Sequence, residues 1–176
     1  MMRLILTLAF LFFPLTTQAE TMDNLALEQK ILQLEDRTAL KTLVDAFSNL
    51  ADQKDVETQK LLFTENATVE SFSDGKLVSS FKGRKQIGDA FSAYLANFET
   101  VYHINGQQTI ELHGDRAIGV SYCLVVLIET DQGKKLKNTS GVIYNDEYVR
   151  RGSKWLIAKR TSRFTWRNRE EMGKLP

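Results

Sequence analysis

Three short turns, each containing a glycine, divide the second half of this chain into four long segments. The turns lie at residues 113–116, 131–134 and 151–154. The segments are rich in β-branched and aromatic residues, and the only prolines of the chain, Pro14 and Pro176, lie outside them. Because tight glycine turns join neighbouring antiparallel strands, the pattern predicts a long antiparallel meander. Its strands are predicted at residues 100–113, 117–130, 135–150 and 155–167.

The first half of the chain has the spacing of helices. Leu27, Ile31 and Leu34 fall at i, i+4 and i+7, and a similar apolar stripe predicts one helix that ends near Asp52, with a bend near Asp36. The remaining elements of this half are predicted in order: a short helix at 56–63 with Asp55 as its N-cap, strands at 67–72 and 77–81, and a third helix at 84–97. Helices followed by a meander predict an α+β domain, with three N-terminal helices packed on a long, curved, mostly antiparallel sheet. Such a cone can hold a ligand inside.

The N-terminus has the form of a secretory signal peptide. Arg3 precedes an apolar run at residues 4–13, and small residues precede Glu20. Cleavage is predicted after Ala19, with export to the periplasm or the medium, and an uncleaved membrane anchor is the alternative. The chain is predicted to divide into a signal peptide (1–19), a lead with the start of helix one (20–33), a domain (34–167) and a C-terminal tail (168–176).

The composition limits the classes of partner. The formal net charge is +1 and falls to about zero without Arg3, so no nucleic-acid partner is expected. The basic C-terminal residues are interpreted as a solvated strand face, with a polyanion patch as the alternative. A single cysteine, Cys123, allows no intrachain disulfide and is expected to be a small buried side chain. Two histidines and one cysteine do not make an ordinary zinc site, and phosphate-loop, dinucleotide and nucleophile-elbow motifs are absent. No metal and no cofactor is expected.

Several segments resemble one family in their order and spacing. They lie at residues 34–52, 61–69, 83–87, 103–117 and 144–160. Together they are similar to the SnoaL-like branch of the NTF2-like superfamily over about residues 34–166. The resemblance implies a cone with a pocket, and homodimers are common in this superfamily. It does not imply one reaction, because the superfamily includes isomerases, dehydratases, cyclases and binding modules without chemistry.

Within this superfamily, scytalone dehydratases carry an acid/base group made of an Asp at the end of helix one and two His. The resemblance places the Asp on Asp52 and the first His on His103, whereas the second His falls at Leu127 or Ile128. An Asp that accepts from an imidazole N–H fixes its tautomer, and the imidazole can then move a proton. The alternative is that Asp52 and His103 are ordinary polar residues.

Strand alternation bears directly on His103. His103 and Asn105 share one parity with Gln107 and look solvent-facing, whereas Ile104 has the opposite parity. A bulge near Gly106 would switch the faces and turn His103 inward. Without the bulge, the hypothesis of an Asp52–His103 pair is weak.

Other residues are expected to contact a bound molecule. Phe47, Tyr144, Asp146 and Arg160 are the predicted substrate-binding residues. For Tyr144 and Asp146 a cross-strand ladder is the alternative, and Arg160 can pair with Asp146, bind a ligand carboxylate or be an exposed cation. The ketosteroid isomerase mechanism is rejected, because its base would fall on Ser71 and its oxyanion-binding Tyr on Phe47.

Two functions remain open at this point. The first is an exported domain that binds a small, mostly apolar molecule and catalyses a cofactor-free proton transfer of the dehydratase, isomerase or cyclase type. His103 is then the acid/base and Asp52 its partner. The second is a non-catalytic ligand-binding or dimerisation module.

Overall fold

The computed structural model describes residues 16–173, and side chains from residue 22 onwards. Most of the predicted signal peptide therefore lies outside the described residues. The chain divides into two compact units, Met1–Glu35 and Asp36–Pro176. In the first unit the described side chains are all exposed, including Leu27, Ile31 and Leu34. No described helix is both long enough and apolar enough to span a membrane.

The structure confirms an α+β architecture of three helices and a six-stranded sheet. The helices are α1 (Thr16–Asp52), α2 (Val56–Gln59) and α3 (Arg84–Leu95). The strands are β1 (Phe63–Ser73), β2 (Lys76–Lys82), β3 (Thr100–His113), β4 (Arg116–Asp131), β5 (Lys134–Arg151) and β6 (Lys154–Glu171). Their order across the sheet is β2-β1-β6-β5-β4-β3, and only β1 and β6 pair in parallel.

The predicted turns form where glycine permits a left-handed backbone. Gly114, Gly133 and Gly152 have φ values of 62°, 80° and 60°, respectively, and each joins two neighbouring antiparallel strands. Asp55 caps α2, because its side chain accepts a hydrogen bond from the backbone N of Thr58 at 3.1 Å. The N-cap prediction at Asp55 is thus confirmed.

Some predicted boundaries differ from the structure. α1 is already helical at Thr16, so the lead predicted to precede helix one within residues 20–33 is helical too. α2 ends at Gln59, and a 3₁₀ turn at Lys60–Leu62 leads directly into β1. β1 begins four residues before its predicted start at Ala67, because its first residue, Phe63, already pairs with β6.

The last strand also extends beyond the predicted domain end at residue 167. β6 continues to Glu171, through a segment predicted to be a tail. Lys137–Glu170 and Lys134–Glu171 ion pairs, both 2.6–2.7 Å long, link it to β5. Because these side chains are all polar, no apolar alternation marked the segment as a strand.

The core of the second unit lies between the helices and the inner face of the sheet. Its larger apolar cluster centres on Leu40, Phe63, Ile87, Tyr148 and Ile157. A second cluster extends toward the other end of the sheet and includes Ala51, Leu95, Val125 and Leu127. Burial of these apolar faces is the main force that places the helices on the sheet.

Candidate functional site

A cavity of about 740 Å³ opens between the helices and the inner face of the sheet. Its buried walls are mostly apolar and include Phe47, Ala51, Val125 and Leu127. The polar side chains on its walls come mainly from the sheet. A cavity of this size, apolar with a few placed polar groups, has the character of a small-molecule site.

His103 lies on the wall of this cavity, and the Asp52 carboxylate holds it at two points. The Asp52 Oδ1 to His103 Nδ1 distance is 2.6 Å, and the backbone N–H of His103 donates to Asp52 Oδ2 at 3.2 Å. Only 8% of the His103 side chain is exposed. Because Nδ1 contacts the carboxylate, Nε2 is the ring nitrogen left to meet a bound molecule.

The inward position of His103 depends on an irregularity in β3. The pairing of β3 with β4 shifts register between Asn105 and Gln108, so the bulge near Gly106 on which an inward His103 depends is present. Before the bulge His103 and Asn105 turn inward, and Ile104 is 49% exposed. The expectation that His103 faces solvent on an unbroken strand is therefore wrong.

Asp52 is the last residue of α1, which is an unfavourable place for a carboxylate. The C-terminal end of a helix carries partial negative charge, so an anion there is destabilised by the helix dipole. The two donors from His103 offset this cost. A residue that is locally unfavourable for stability in this way is typical of a functional site.

A second polar contact fixes α1 against β3. The Ser48 hydroxyl donates to the Asn105 side-chain oxygen at 3.0 Å, and the Asn105 amide donates to Asp45 at 2.9 Å. Ser48 is only 2% exposed. Sequence reasoning missed both Ser48 and Asn105, although the parity shared by Asn105 and His103 could have indicated their common face.

The structure places the four predicted substrate-binding residues in two layers. Phe47 and Tyr144 line the cavity. Asp146 and Arg160 lie outside its lining and form a buried bidentate pair, with N–O distances of 2.8 and 2.7 Å. Arg160 is 1% exposed, so the interpretation of an exposed cation is wrong and pairing with Asp146 is what the structure shows.

The ion pair supports the cavity wall from behind. The Arg160 guanidinium lies 4.1 Å from the ring centroid of Phe47 and 4.3 Å from that of Tyr144. Tyr148 donates its hydroxyl to Asp146 at 2.8 Å. The two aromatic rings are therefore positioned by a charged group that does not itself line the cavity.

Burial determines the protonation of the groups beside the wall. It raises the pKa of Tyr144 well above the ordinary phenol value, and the neighbouring Cys123 adds to the effect. It also raises the pKa of the Cys123 thiol to about 11, although a hydrogen bond with Tyr144 acts in the opposite direction. Tyr144 thus stays a neutral donor, and Cys123 is a buried thiol, as predicted, rather than a nucleophile.

Sequence reasoning also missed several polar residues of the cavity lining. They include Gln59, Ser140, Ser162, Arg167 and Arg169. Gln59 is 1% exposed, and its amide donates to the backbone oxygen of Phe47 at 3.0 Å. Strand parity was an available signal, because Ser140 shares the parity of Tyr144 on β5 and Ser162 that of Arg160 on β6. Among residues 16–173, no group of three or more His, Cys, Asp or Glu is arranged to hold a metal ion.

Comparison with known proteins identifies the family. The sequence profile of the SnoaL-like domain matches residues 32–161. The chain therefore belongs to the SnoaL-like family of the NTF2-like superfamily. No curated protein matches the chain in sequence.

Three solved structures with the same fold are distant in sequence. A candidate scytalone dehydratase from Novosphingobium aromaticivorans DSM 12444 has a TM-score of 0.68 at 19% identity, over 80% of this chain and 91% of its own. A type 2 hexachlorocyclohexane dehydrochlorinase has a TM-score of 0.68 at 16% identity, over 83% of this chain and 95% of its own. The Kfla4162 protein from Kribbella flavida has a TM-score of 0.70 at 16% identity, over 77% of this chain and 95% of its own. At these identities the likeness establishes the fold alone.

Proposed function

We propose that this protein binds a small, mostly apolar molecule in its cavity and catalyses a cofactor-free proton transfer with His103 as the acid/base. The observation that carries the proposal is the 2.6 Å contact between Asp52 and a His103 imidazole that lines the cavity. Asp52 is the positioning residue, because its carboxylate accepts from Nδ1–H and leaves Nε2 with a free lone pair. Nε2 can then take a proton from a carbon beside a carbonyl or beside a leaving group.

The apolar walls favour such chemistry. A bound molecule displaces water that would compete for the proton acceptor, and Phe47 and Tyr144, whose rings lie at 71° to each other, offer aromatic contacts for a ring. Two of the proteins with this fold are named for eliminations, one a dehydratase and one a dehydrochlorinase. An elimination begins with or includes removal of a proton, so these names accord with the proposal.

The test measures proton removal directly and needs no knowledge of the natural substrate. 2-Tetralone, an apolar ketone with acidic C–H groups, is incubated with the protein in D₂O, and NMR follows the loss of its α-proton signals. A base that removes the proton gives an enolate, which then takes a deuteron from solvent. The wild type is expected to exchange these protons faster than buffer, and His103→Ala to lower the enzymatic rate on the order of 10²- to 10⁴-fold.

Two further variants complete the test. Asp52→Asn is expected to lower the rate by a smaller factor, because the imidazole loses its orientation but keeps its lone pairs. His113→Ala is the matched control, since His113 is exposed at the end of β3 and does not line the cavity. Exchange by His103→Ala at the wild-type rate would end the proposal, and so would a wild type no faster than buffer.

A second proposal concerns the outer face of the sheet. Tyr102, Ile104, Ile118 and Tyr122, on the adjacent strands β3 and β4, are 46–54% exposed. A continuous apolar patch of this kind is typical of an interface, and a second copy of the chain can cover it by twofold symmetry. We propose a homodimer, which is compatible with either a catalytic or a purely binding role.

Analytical ultracentrifugation tests the dimer. The wild type is expected to sediment as a dimer and Tyr122→Lys as a monomer, because a buried unpaired charge would oppose association. Leu77→Lys is the control, since Leu77 is 53% exposed on β2, far along the sheet from the patch. A wild type that stays monomeric at its highest soluble concentration contradicts this proposal.

Export is likewise proposed from the N-terminal pattern of Arg3, the apolar run and Ala19. The expected mature protein begins at Glu20. Expression of the full chain in a bacterial host, followed by intact mass measurement of the periplasmic fraction, tests the cleavage site. Retention of residues 1–19 in a membrane fraction would favour the anchor instead.

A further inference from the structure

Arg167 lies at the cavity and has no carboxylate partner among residues 22–173. Its guanidinium stacks 4.1 Å from the ring centroid of Phe164, which fixes its direction without neutralising its charge. Its neighbour Arg169 is different, because it pairs with Glu129 at 3.0 Å and Asp131 at 3.3 Å. Arg167 is therefore the unmatched positive charge of the cavity lining.

The exposure of the lining residues shows where Arg167 lies. Val78, Tyr94, Arg167, Asn168 and Arg169 are the lining residues with exposed side chains, so they form the mouth. The buried lining residues form the floor and are mostly apolar. A molecule in the cavity thus meets apolar groups inside and hydrogen-bond donors at the mouth.

Tyr94 adds a second donor to the exposed part of the lining. Partial burial raises the pKa of the Tyr94 phenol, whereas the charge of Arg167 acts to lower it. Tyr94 also packs edge-on against Phe98, with ring centroids 5.2 Å apart. The phenol of Tyr94 therefore stays protonated and can donate to an anion that Arg167 binds.

The register of the sheet gives the distance from Arg167 to the acid/base group. His103 pairs with Val125, Val125 with Ser140, and Ser140 with Arg167, so all four lie in one row across β3 to β6. Three interstrand steps separate the backbones of His103 and Arg167 by about 14 Å before the curvature of the sheet is considered. Both side chains line the cavity, so they close part of this distance from opposite sides. A molecule of one or two rings spans the remainder.

We propose, building on the function proposed above, that the bound molecule is an apolar carboxylic acid. Arg167 holds its carboxylate at the mouth, and its apolar body extends toward His103. The planar guanidinium matches a carboxylate in shape as well as charge. Glu129 does not cancel this preference, because Arg169 and Asn138 already bind its carboxylate at 3.0 Å.

The test compares two probes that differ only in charge. Titration calorimetry measures the binding of 2-naphthoate and of 2-naphthamide to the full chain. The wild type is expected to bind the carboxylate about tenfold more tightly than the amide, as suits a charge-assisted hydrogen bond. Arg167→Gln is expected to remove this preference by weakening the carboxylate alone, and Arg167→Lys to restore part of it.

Arg163→Gln is the matched control, because Arg163 is an exposed arginine on the same strand that does not line the cavity. It is expected to keep the full preference. Equal affinity of the wild type for both probes, or an unchanged preference in Arg167→Gln, overturns the proposal for the carboxylate and leaves the proton-transfer function standing. If neither probe binds, both the proposal of a carboxylate ligand and the proposal of an apolar ligand site are overturned. If proton exchange is absent in the tetralone assay but the preference for naphthoate is intact, only the proposed catalytic function is contradicted.

Discussion

Asp52 and His103, 51 residues apart in the chain, are joined by two hydrogen bonds, one to the imidazole and one to the backbone. The backbone bond fixes the position of the strand relative to the end of the helix. The side-chain bond fixes the plane and the tautomer of the ring. One carboxylate thus determines both where the imidazole lies and which nitrogen faces the cavity.

The tautomer of His103 is open to measurement. Two-bond ¹H–¹⁵N correlation spectra at about pH 9, where an ordinary imidazole is neutral, should show a protonated Nδ1 and an unprotonated Nε2 for His103. His113, whose side chain is 62% exposed, should instead show a mixture of the two tautomers. In Asp52→Asn the tautomer of His103 should change toward that mixture. A wild-type His103 with a bare Nδ1 would contradict the assigned roles.

The buried pair of Asp146 and Arg160 should be costly to break. Asp146→Asn leaves the Arg160 charge buried without a full partner, and the free energy of unfolding in urea is expected to fall by about 3–5 kcal/mol. Replacing both residues with apolar ones of similar volume should recover much of that loss. Asp89→Asn is the control, because its exposed pair with Lys85 is expected to contribute little. Equal effects of Asp146→Asn and Asp89→Asn would contradict the buried role.

Gly119 should tolerate no side chain. A Cβ added there would lie 2.7 Å from Ile110 Cδ1 and 2.9 Å from Tyr148 Cε2, which is too close for either. Gly119→Ala is therefore expected to lower the free energy of unfolding by about 1–3 kcal/mol. At Gly106 an added Cβ meets only ordinary contacts at 3.6 Å or more, so Gly106→Ala serves as the comparison. The prediction fails if Gly119→Ala is no less stable than Gly106→Ala.

Asp36 should make stability depend on acid pH. Burial acts to raise its pKa, but hydrogen bonds from Arg150 at 2.5 Å and Trp155 at 3.0 Å prevail, so the folded pKa lies below the ordinary value of 3.8. A lowered folded pKa means that the unfolded chain binds the proton more readily, so the contribution is present above pH 3.8 and shrinks as the pH falls below it.

Urea unfolding at several pH values checks this dependence. The stability difference between wild type and Asp36→Asn should be constant near neutral pH and decrease in acid. Asp74→Asn is the control, since Asp74 lies on an exposed turn where asparagine adopts the same backbone conformation. A difference that grows as the pH falls would mean that the sign assigned to Asp36 is wrong.

Much of the fold could be predicted from local patterns. The four long strands and their turns follow from apolar alternation and from glycines such as Gly114 and Gly133, and the third helix from its apolar stripe. Patterns of this kind involve residues that are close together in the chain, so they can be recognised in a single sequence. The extension of β6 to Glu171 was missed because its stabilising contacts are ion pairs to another strand.

The site was predictable only in part. The resemblance of its motifs to those of a family indicated Asp52 and His103 as a pair, but it gave no reason to separate Phe47 and Tyr144 from Asp146 and Arg160. All four had been expected to contact a ligand. Which of them line the cavity depends on the layer in which each side chain packs, and parity on one strand cannot distinguish layers.

The sequence by itself determined the class of fold, because periodicity, turn glycines and the absence of proline from the strands leave few ways to bury the apolar faces. Tertiary structure alone decided that the β3 bulge turns His103 inward, that Arg160 is buried behind two aromatic rings, and that Arg167 is left unmatched at the mouth. These outcomes depend on which side chains from distant parts of the chain share one space. Contacts of that kind have no local signature in the sequence.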